Sequence, residues 1–339
     1  MNRLVKMSIA GALPLRALAR NSGPVLTYHA CYREVPKYVS GLDNITPEWL
    51  YRQVSTLAKV YRFVPIDEFA ESKTRRGIAA ITFDDGYRSV LDEAMPILVS
   101  LGVPFTIFVN TYPLEGETFW RHKVLYLILQ GMASEFENFM RGVRRIPGQS
   151  LYECLKNPCN NSRLVESELD RFFAHKGLQP DIPQYMHSKP CEYIAHPLVW
   201  YGNHTHHHYV MASLFAGEQG EEIEAVQRHL SKIPGIQVSS CFALPFGRAD
   251  QANRDTLAVV SDAGYKALLL NRGGVNRNLA GGDGPVSIIE RFSVNESPIE
   301  WDLAKNYAAD LYSRVSPTSA HSWIEAPANS MAAPGGVHR

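Results

Sequence analysis

Two short stretches hold most of the chain's candidate chemistry. Thr82-Phe83-Asp84-Asp85-Gly86 sets two adjacent carboxylates just past an apolar run and before a glycine. Gly202-Asn203-His204-Thr205-His206-His207-His208-Tyr209 gathers four of the twelve histidines. Adjacent residues at a strand end point in different directions, so one carboxylate can bind a metal while the other faces a substrate. Taken alone, either aspartate would more simply cap the following helix. The histidines change that balance. His204 and His208 are four apart, and if Thr205 opens a helical turn their rings share one face, a workable frame for a divalent metal. His207, three from His204, is the alternative partner, and His206 points away. The run follows the apolar Leu198-Val199-Trp200-Tyr201, which argues against a merely solvated histidine loop. Two histidines and a carboxylate leave a fourth position open, the pattern of a catalytic zinc site. Cobalt, nickel and iron suit the same donors.

The surrounding pattern supplies the strands and helices that would position these groups. Pro24 to His29 reads as a short strand ending in polar residues, and Ile78 to Phe83 as a buried strand running into the two aspartates. Val103 to Asn110, Leu198 to Asn203, Ser239 to Leu244 and Tyr265 to Leu270 read as further strands. Between them lie helical patterns: Pro47 to about Val60 behind a capping Thr46, Tyr87 to Leu101 closed by Gly102, Glu218 to Leu230, and Asn253 to Ala263. This alternation predicts parallel βα units. It is interrupted from about 119 to 195 by a helical, polar stretch that reads as an insertion. Phe119-Trp120-Arg121 opens it; aromatic rings there could stack on sugars, though a tryptophan in a helical insert is more often packing.

The residues resemble a known family. Ile81-Thr82-Phe83-Asp84-Asp85-Gly86-Tyr87 and Gly202 to His208 are similar to the first two motifs of the polysaccharide deacetylases, the NodB-homology or carbohydrate esterase family 4 enzymes. Cys241-Phe242-Ala243-Leu244-Pro245-Phe246-Gly247 resembles the third, and Ile289-Glu290-Arg291-Phe292 a later one. The resemblance spans roughly 24–295 and implies a distorted (β/α) barrel that removes acetyl groups from amino sugars with a metal. It makes Asp85, His204 and His208 the ligands and Asp84 the general base. The metal would polarise the acetyl carbonyl and the attacking water, and the backbone N–H of Phe246 would receive the oxyanion. No late acid histidine stands between Leu270 and Trp301. Leu26-Thr27-Tyr28-His29 instead resembles the first strand of the circularly permuted subgroup, which includes poly-N-acetylglucosamine deacetylases, and that subgroup makes His29 the acid. Ala243 stands where the common third motif has an arginine that steadies the base. Arg291 could serve from a neighbouring strand, or pair at the surface with Glu290.

Bulk properties bound the remaining readings. The chain has 339 residues, 45% hydrophobic, with 34 basic and 34 acidic residues, and this balance gives no basic excess for binding nucleic acid. Its five cysteines are scattered with no CxxC pair, which fits free thiols and a cytoplasmic setting. Residues 1–23 are basic with no acid and read as a leader or an amphipathic helix that contacts a membrane peripherally; a signal peptide ending at Ala17-Leu18-Ala19 is the lesser alternative. The barrel then spans 24–312, and 313–339 reads as a disordered tail. The expected partner is an N-acetylated glycan, a surface polysaccharide, oligosaccharide or lipid-linked precursor. An O-acetyl esterase with the same site and a silent sugar-binding module are the rivals. The sequence carries no signal of oligomeric state.

Overall fold

Parallel strands built from apolar, β-branched runs close on themselves and put every strand's C-terminal end at one rim. The architecture comes from a computed structural model, which describes residues 15–37, 43–179, 192–276 and 286–315. The strands are β1 (Val25–Tyr28), β2 (Arg62–Phe63), β3 (Ile78–Phe83), β4 (Phe105–Val109), β5 (Val199–Asn203), β6 (Gln237–Ala243), β7 (Ala267–Asn271) and β8 (Ser287–Ser293). All neighbouring pairs are parallel. β1 pairs with both β3 and β8, so seven strands close into a barrel, with β2 added outside the start of β3. This is the (β/α) barrel with a helical insertion that the sequence predicts.

The interior shows why the polar groups gather at the rim. Val25, Ala80, Phe108, Ala243, Leu269 and Ile289 meet in one buried cluster, closed from below by Ile66 and Phe69 of the helix Ile66–Glu71. Side chains alternate along a strand, so residues two and four further on face the same interior. Those positions are Thr27 and His29 on β1, Thr82 and Asp84 on β3, and Arg291 on β8. Gly202 is required here: a Cβ would come within 2.4 Å of the Phe108 ring.

Outside the barrel, helices cover the strands as the βα pattern requires. Pro47–Leu57 has proline in its first turn, but the Thr46 side chain makes no capping bond; its backbone N–H donates to Glu296 instead. The helix expected over Tyr87–Leu101 begins as a π-helical turn, Val90–Ala94, before Met95–Ser100. The insertion contains the helices Trp120–Leu129, Ala133–Phe139, Leu151–Leu155 and Ser162–Lys176. Their apolar faces form a second core with β6, β7 and the helix Arg254–Asp262.

Both ends differ in detail from the sequence reading. Leu15–Ala19 is helical, and Leu18 and Ala19 are buried in the main core, so this part of the expected leader packs on the barrel. Residues 1–14 lie outside the described residues. At the other end, the unforeseen helix Ile299–Val315 runs past 312, and the expected tail beyond it lies outside the described residues. No helix among the described residues is long and apolar enough to cross a membrane. Cys31, Cys154, Cys159 and Cys241 are free thiols.

Candidate active site

Asp84 and Asp85 leave β3 in different directions, and each meets its own arginine. Both Asp84 oxygens accept from Arg291, Nη1 to Oδ1 and Nη2 to Oδ2, at 2.8 Å each. Arg291 is fully buried, donates also to Thr82 Oγ1 at 3.2 Å, and lies over the Phe108 ring. It does not pair with Glu290, whose partner is Arg272. Nor does it reach Asp84 from an adjacent strand: β1 separates β8 from β3, and the side chain crosses the interior. Burial alone would raise the Asp84 carboxyl. The Arg291 guanidinium, helped by His204, more than offsets that and holds it below the ordinary carboxylate value. Asp84 is therefore ionised at neutral pH.

Asp85 turns away through a left-handed backbone, φ 72°. Its Oδ2 accepts from Arg121 Nη2 at 2.5 Å. Its Oδ1 lies 3.3 Å from His208 Nε2 and 3.6 Å from His204 Nε2. Burial pushes this carboxyl up, and Arg121 and then His208 bring it well below its usual value.

His204 and His208 do come together, with ring centroids 4.8 Å apart, but not on a helical turn. Thr205 and His208 have φ of 67° and 59°, the sign opposite to that of an α-helix. The loop is held by polar side chains instead. Thr205 Oγ1 accepts from the His208 N–H at 3.1 Å, Asn203 Oδ1 accepts from the Thr205 N–H at 2.9 Å, and Asn110 donates to the carbonyls of His204 and Thr205. Thr205 thus supports the loop through its hydroxyl and does not open a helical turn. The His204 Nδ1–H donates to the Ala243 carbonyl at 2.9 Å, which leaves Nε2 as the lone-pair nitrogen. His206 Nδ1 bonds Thr111 Oγ1 and His207 Nδ1 bonds Glu222 Oε1, each at 2.6 Å, so His207 is not the second partner. Burial lowers the pKa of His204 and, with Arg121 adding to it, lowers that of His208 further. Both rings are neutral, as ligands must be.

These residues fit a divalent cation. One ligand atom from each of Asp85, His204 and His208 lies within 4.8 Å of the others, all three residues are buried, and no other such group occurs among the described residues. Asp85 Oδ1 is buried without a hydrogen-bond partner. A buried anionic oxygen is normally satisfied, and a cation shared with two imidazole nitrogens would satisfy this one.

Backbone strain marks the same place. Among the described residues, the non-glycine positions with positive φ are Asp85, Thr205, His208 and Phe246. Left-handed non-glycine residues cost about 1–2 kcal/mol each, and such outliers cluster where function holds a side chain in place. Phe246 packs its ring edge-on against His208 at 4.6 Å. Gly247 follows it with φ 69°, and a Cβ there would collide with Asn271 at 2.5 Å. The Phe246 backbone N–H makes no hydrogen bond within the described chain. Tyr28 is level with Phe83 in the β1–β3 register, so His29 stands level with Asp84. Its ring is 15% exposed, with Nδ1 3.7 Å from Asp43 Oδ2 and no hydrogen bond. A charge on His29 acts on both Asp84 and Asp85.

The group that sequence reasoning missed is Arg121. It stands in the first turn of the helix Trp120–Leu129 and is buried. The sequence reading puts the opening Phe119-Trp120-Arg121 near the barrel mouth but gives Arg121 no role, because nothing in an insertion's sequence says which side chain reaches Asp85. Trp120 is fully buried and donates Nε1–H to the His208 carbonyl at 3.1 Å, so it packs on the site and has no face for a sugar.

Comparison with known proteins agrees with this geometry. The family model described as polysaccharide deacetylase matches residues 71–123 and 192–268, on either side of most of the insertion. No curated protein matches the chain. Among solved structures, the Streptococcus pyogenes deacetylase PplD is similar at TM-score 0.51 and 16% identity, over 84% of this chain and 97% of that one. A putative polysaccharide deacetylase from Bacillus anthracis, BA0330, aligns at TM-score 0.50 and 14% identity, over 84% of this chain and 68% of its own. IcaB from Ammonifex degensii aligns at TM-score 0.48 and 21% identity, over 85% and 97%. The matched stretches contain Asp84, Asp85, Arg121, His204, His208 and Phe246, so the likeness to the polysaccharide deacetylase model includes the candidate site, and the likeness to PplD is one of fold.

Proposed function

We propose that the protein is a metal-dependent carbohydrate N-deacetylase acting on N-acetylhexosamine units of a polysaccharide, oligosaccharide or lipid-linked glycan. One observation carries this reading. Asp85, His204 and His208 converge as a buried ligand set, and beside them Asp84 is kept ionised by a two-pronged arginine. Zinc is the default for these donors. Bound there, the cation supplies Lewis-acid polarisation of the acetyl carbonyl and the attacking water.

The chain's own groups carry the protons. Asp84 takes one from water as its oxygen attacks the acetyl carbon. Arg291 fixes the carboxylate's orientation and keeps it anionic. The Phe246 N–H donates to the oxygen that becomes negative. His29, level with Asp84, protonates the departing nitrogen; the C–N bond breaks, acetate leaves and the sugar keeps a free amine. The acetate bound by PplD, a protein of similar fold, is of the chemical class this reaction releases.

The test is acetate release from a panel of N-acetylated and O-acetylated glycans, together with metal content. Asp84→Asn should lower turnover by about 10²–10⁴-fold while metal stays bound. His208→Ala should lose both metal and activity. Normal activity in either variant, or release only from O-acetylated substrates, rejects the proposal.

A further inference from the structure

The insertion reaches into the candidate centre through four consecutive residues. Trp120 donates to the His208 carbonyl at 3.1 Å. Arg121 donates to Asp85 Oδ2 at 2.5 Å. His122 Nε2 bonds the Tyr87 hydroxyl at 2.7 Å. Lys123 pairs with Asp170 at 2.5 Å and Glu166 at 3.4 Å, inside the insertion itself. All four are buried. The first three grip residues on or beside the ligand loops, and the fourth ties that turn to the rest of the insertion.

Arg121 is the member with a chemical consequence. Asp85 has two oxygens, and Arg121 occupies Oδ2, while Oδ1 faces His204 and His208 with no hydrogen bond. A carboxylate with both oxygens free can grip a cation with both. One whose second oxygen is held by a buried guanidinium offers a single oxygen. The charges matter as well. Asp84 is matched by Arg291 and Asp85 by Arg121, so these four groups sum to zero. A cation arriving there meets less negative charge than two bare carboxylates would present, and keeps more of its own for polarising a carbonyl.

We infer that Arg121 is a positioning residue that holds Asp85 as a one-oxygen ligand and trades cation affinity for turnover, so the insertion is part of the catalytic centre. This rests on Asp85 being a metal ligand. The clearest sign is opposite movement of two quantities, which a purely structural arginine would not give. The experiment uses the full chain, stripped of metal and titrated with Zn²⁺ against a competing chelator, alongside turnover and the melting temperature of the metal-free protein.

Arg121→Gln removes the charge and is expected to bind Zn²⁺ about tenfold or more tightly than the wild type, while kcat falls about tenfold or more. Arg121→Lys keeps the charge without the planar fork. It should hold Zn²⁺ within about threefold of wild type yet still lose turnover, because Asp85 is no longer fixed. Arg121→Gln binding Zn²⁺ no tighter than wild type overturns the inference. Should that variant not fold, Arg121→Lys with wild-type turnover overturns it equally. A wild-type protein that binds no Zn²⁺ would instead reject the ligand reading of Asp85, a result distinct from either variant's.

Discussion

Asp84 and Asp85 are adjacent in sequence, equally buried and equally matched by an arginine, yet the two arginines come from different parts of the molecule. Arg291 belongs to the last strand of the barrel and engages both oxygens of Asp84. Arg121 belongs to the insertion and engages one oxygen of Asp85. The first arrangement gives each carboxylate oxygen one charge-assisted bond and keeps the group anionic. The second leaves one oxygen free and aimed at two neutral imidazoles. In the proposed function, identical residue types thus give a base on one side and a ligand on the other, and the difference lies in how many oxygens the partner takes.

The strongest way to break this comparison is to remove the barrel's half. Arg291→Met substitutes an apolar side chain in a fully buried position and leaves Asp84 without its cation. Removing one partner of a buried pair costs about 3–5 kcal/mol. Turnover at neutral pH should fall by at least about 100-fold, the lower end for losing a general base, with metal still bound. The sign of the pH dependence is diagnostic. In the wild type the Asp84 pKa is depressed. Its stabilisation is full above the unfolded value of about 3.9 and is lost as pH falls through the folded pKa. In the variant, burial, the largest influence on this carboxyl, is opposed only by the weaker pull of His204 and His29 and raises the folded pKa, so the penalty is largest at neutral pH and shrinks on acidification. Denaturant unfolding at pH 7 and pH 4 should therefore show the gap narrowing. An equal gap at both would mean the pair is not held by charge.

How much of this was legible in sequence follows the same division. The strand face was readable because side chains alternate. Ile78 to Phe83 runs straight into the aspartates, and Arg291 sits two residues beyond Ile289, which faces the barrel interior. His204 and His208 were readable as partners, but for a reason the structure replaces. Their four-residue spacing suggested a helical turn, whereas left-handed residues at Thr205 and His208 fold the loop so that the rings meet. Spacing measures distance along the chain, and the bonds from Asn110 that help shape this loop come from the end of β4, 94 and 95 residues away in sequence. Arg121 was not legible at all, because its meaning depends on the insertion's docking, which is set by tertiary contacts such as Trp120 to the His208 carbonyl. The two-residue β2 and the helix Ile299–Val315 were missed as well. The first is too short for periodicity, and the second abuts a tail whose composition dominated the reading.

That docking contact offers a milder way to sharpen the comparison. Trp120→Phe keeps most of the apolar bulk in the insertion's core and deletes the N–H that satisfies the His208 carbonyl. A buried acceptor left unsatisfied costs about 1–3 kcal/mol. If the insertion helix is what places Arg121, Zn²⁺ affinity should move in the direction of Arg121→Gln, tighter and not weaker, alongside that loss of stability. Chelator competition and denaturant unfolding of the same preparation check both. Weaker Zn²⁺ binding would mean that Trp120 serves the ligand loop alone.

The smallest expected effect isolates the insertion's side by pH. His122 is buried against the Tyr87 hydroxyl. Burial, with Arg121 beside it, lowers its pKa to about 3. A histidine held neutral in the fold stabilises it fully above its unfolded pKa of about 6.5, and that contribution is lost as pH falls toward the folded value. One proton gives a slope of about 1.4 kcal/mol per pH unit over that window. His122→Gln keeps a hydrogen-bonding side chain but cannot titrate, so it should be less sensitive to acid than the wild type. Between pH 7.5 and 5.5 the stability difference between the two should shift by about 1 kcal/mol in the variant's favour. Asp84 and Arg291 contribute nothing in this range, because Asp84 stays ionised throughout it. A difference that does not change with pH would place the acid sensitivity outside His122 and remove the asymmetry between the insertion's contacts and the barrel's.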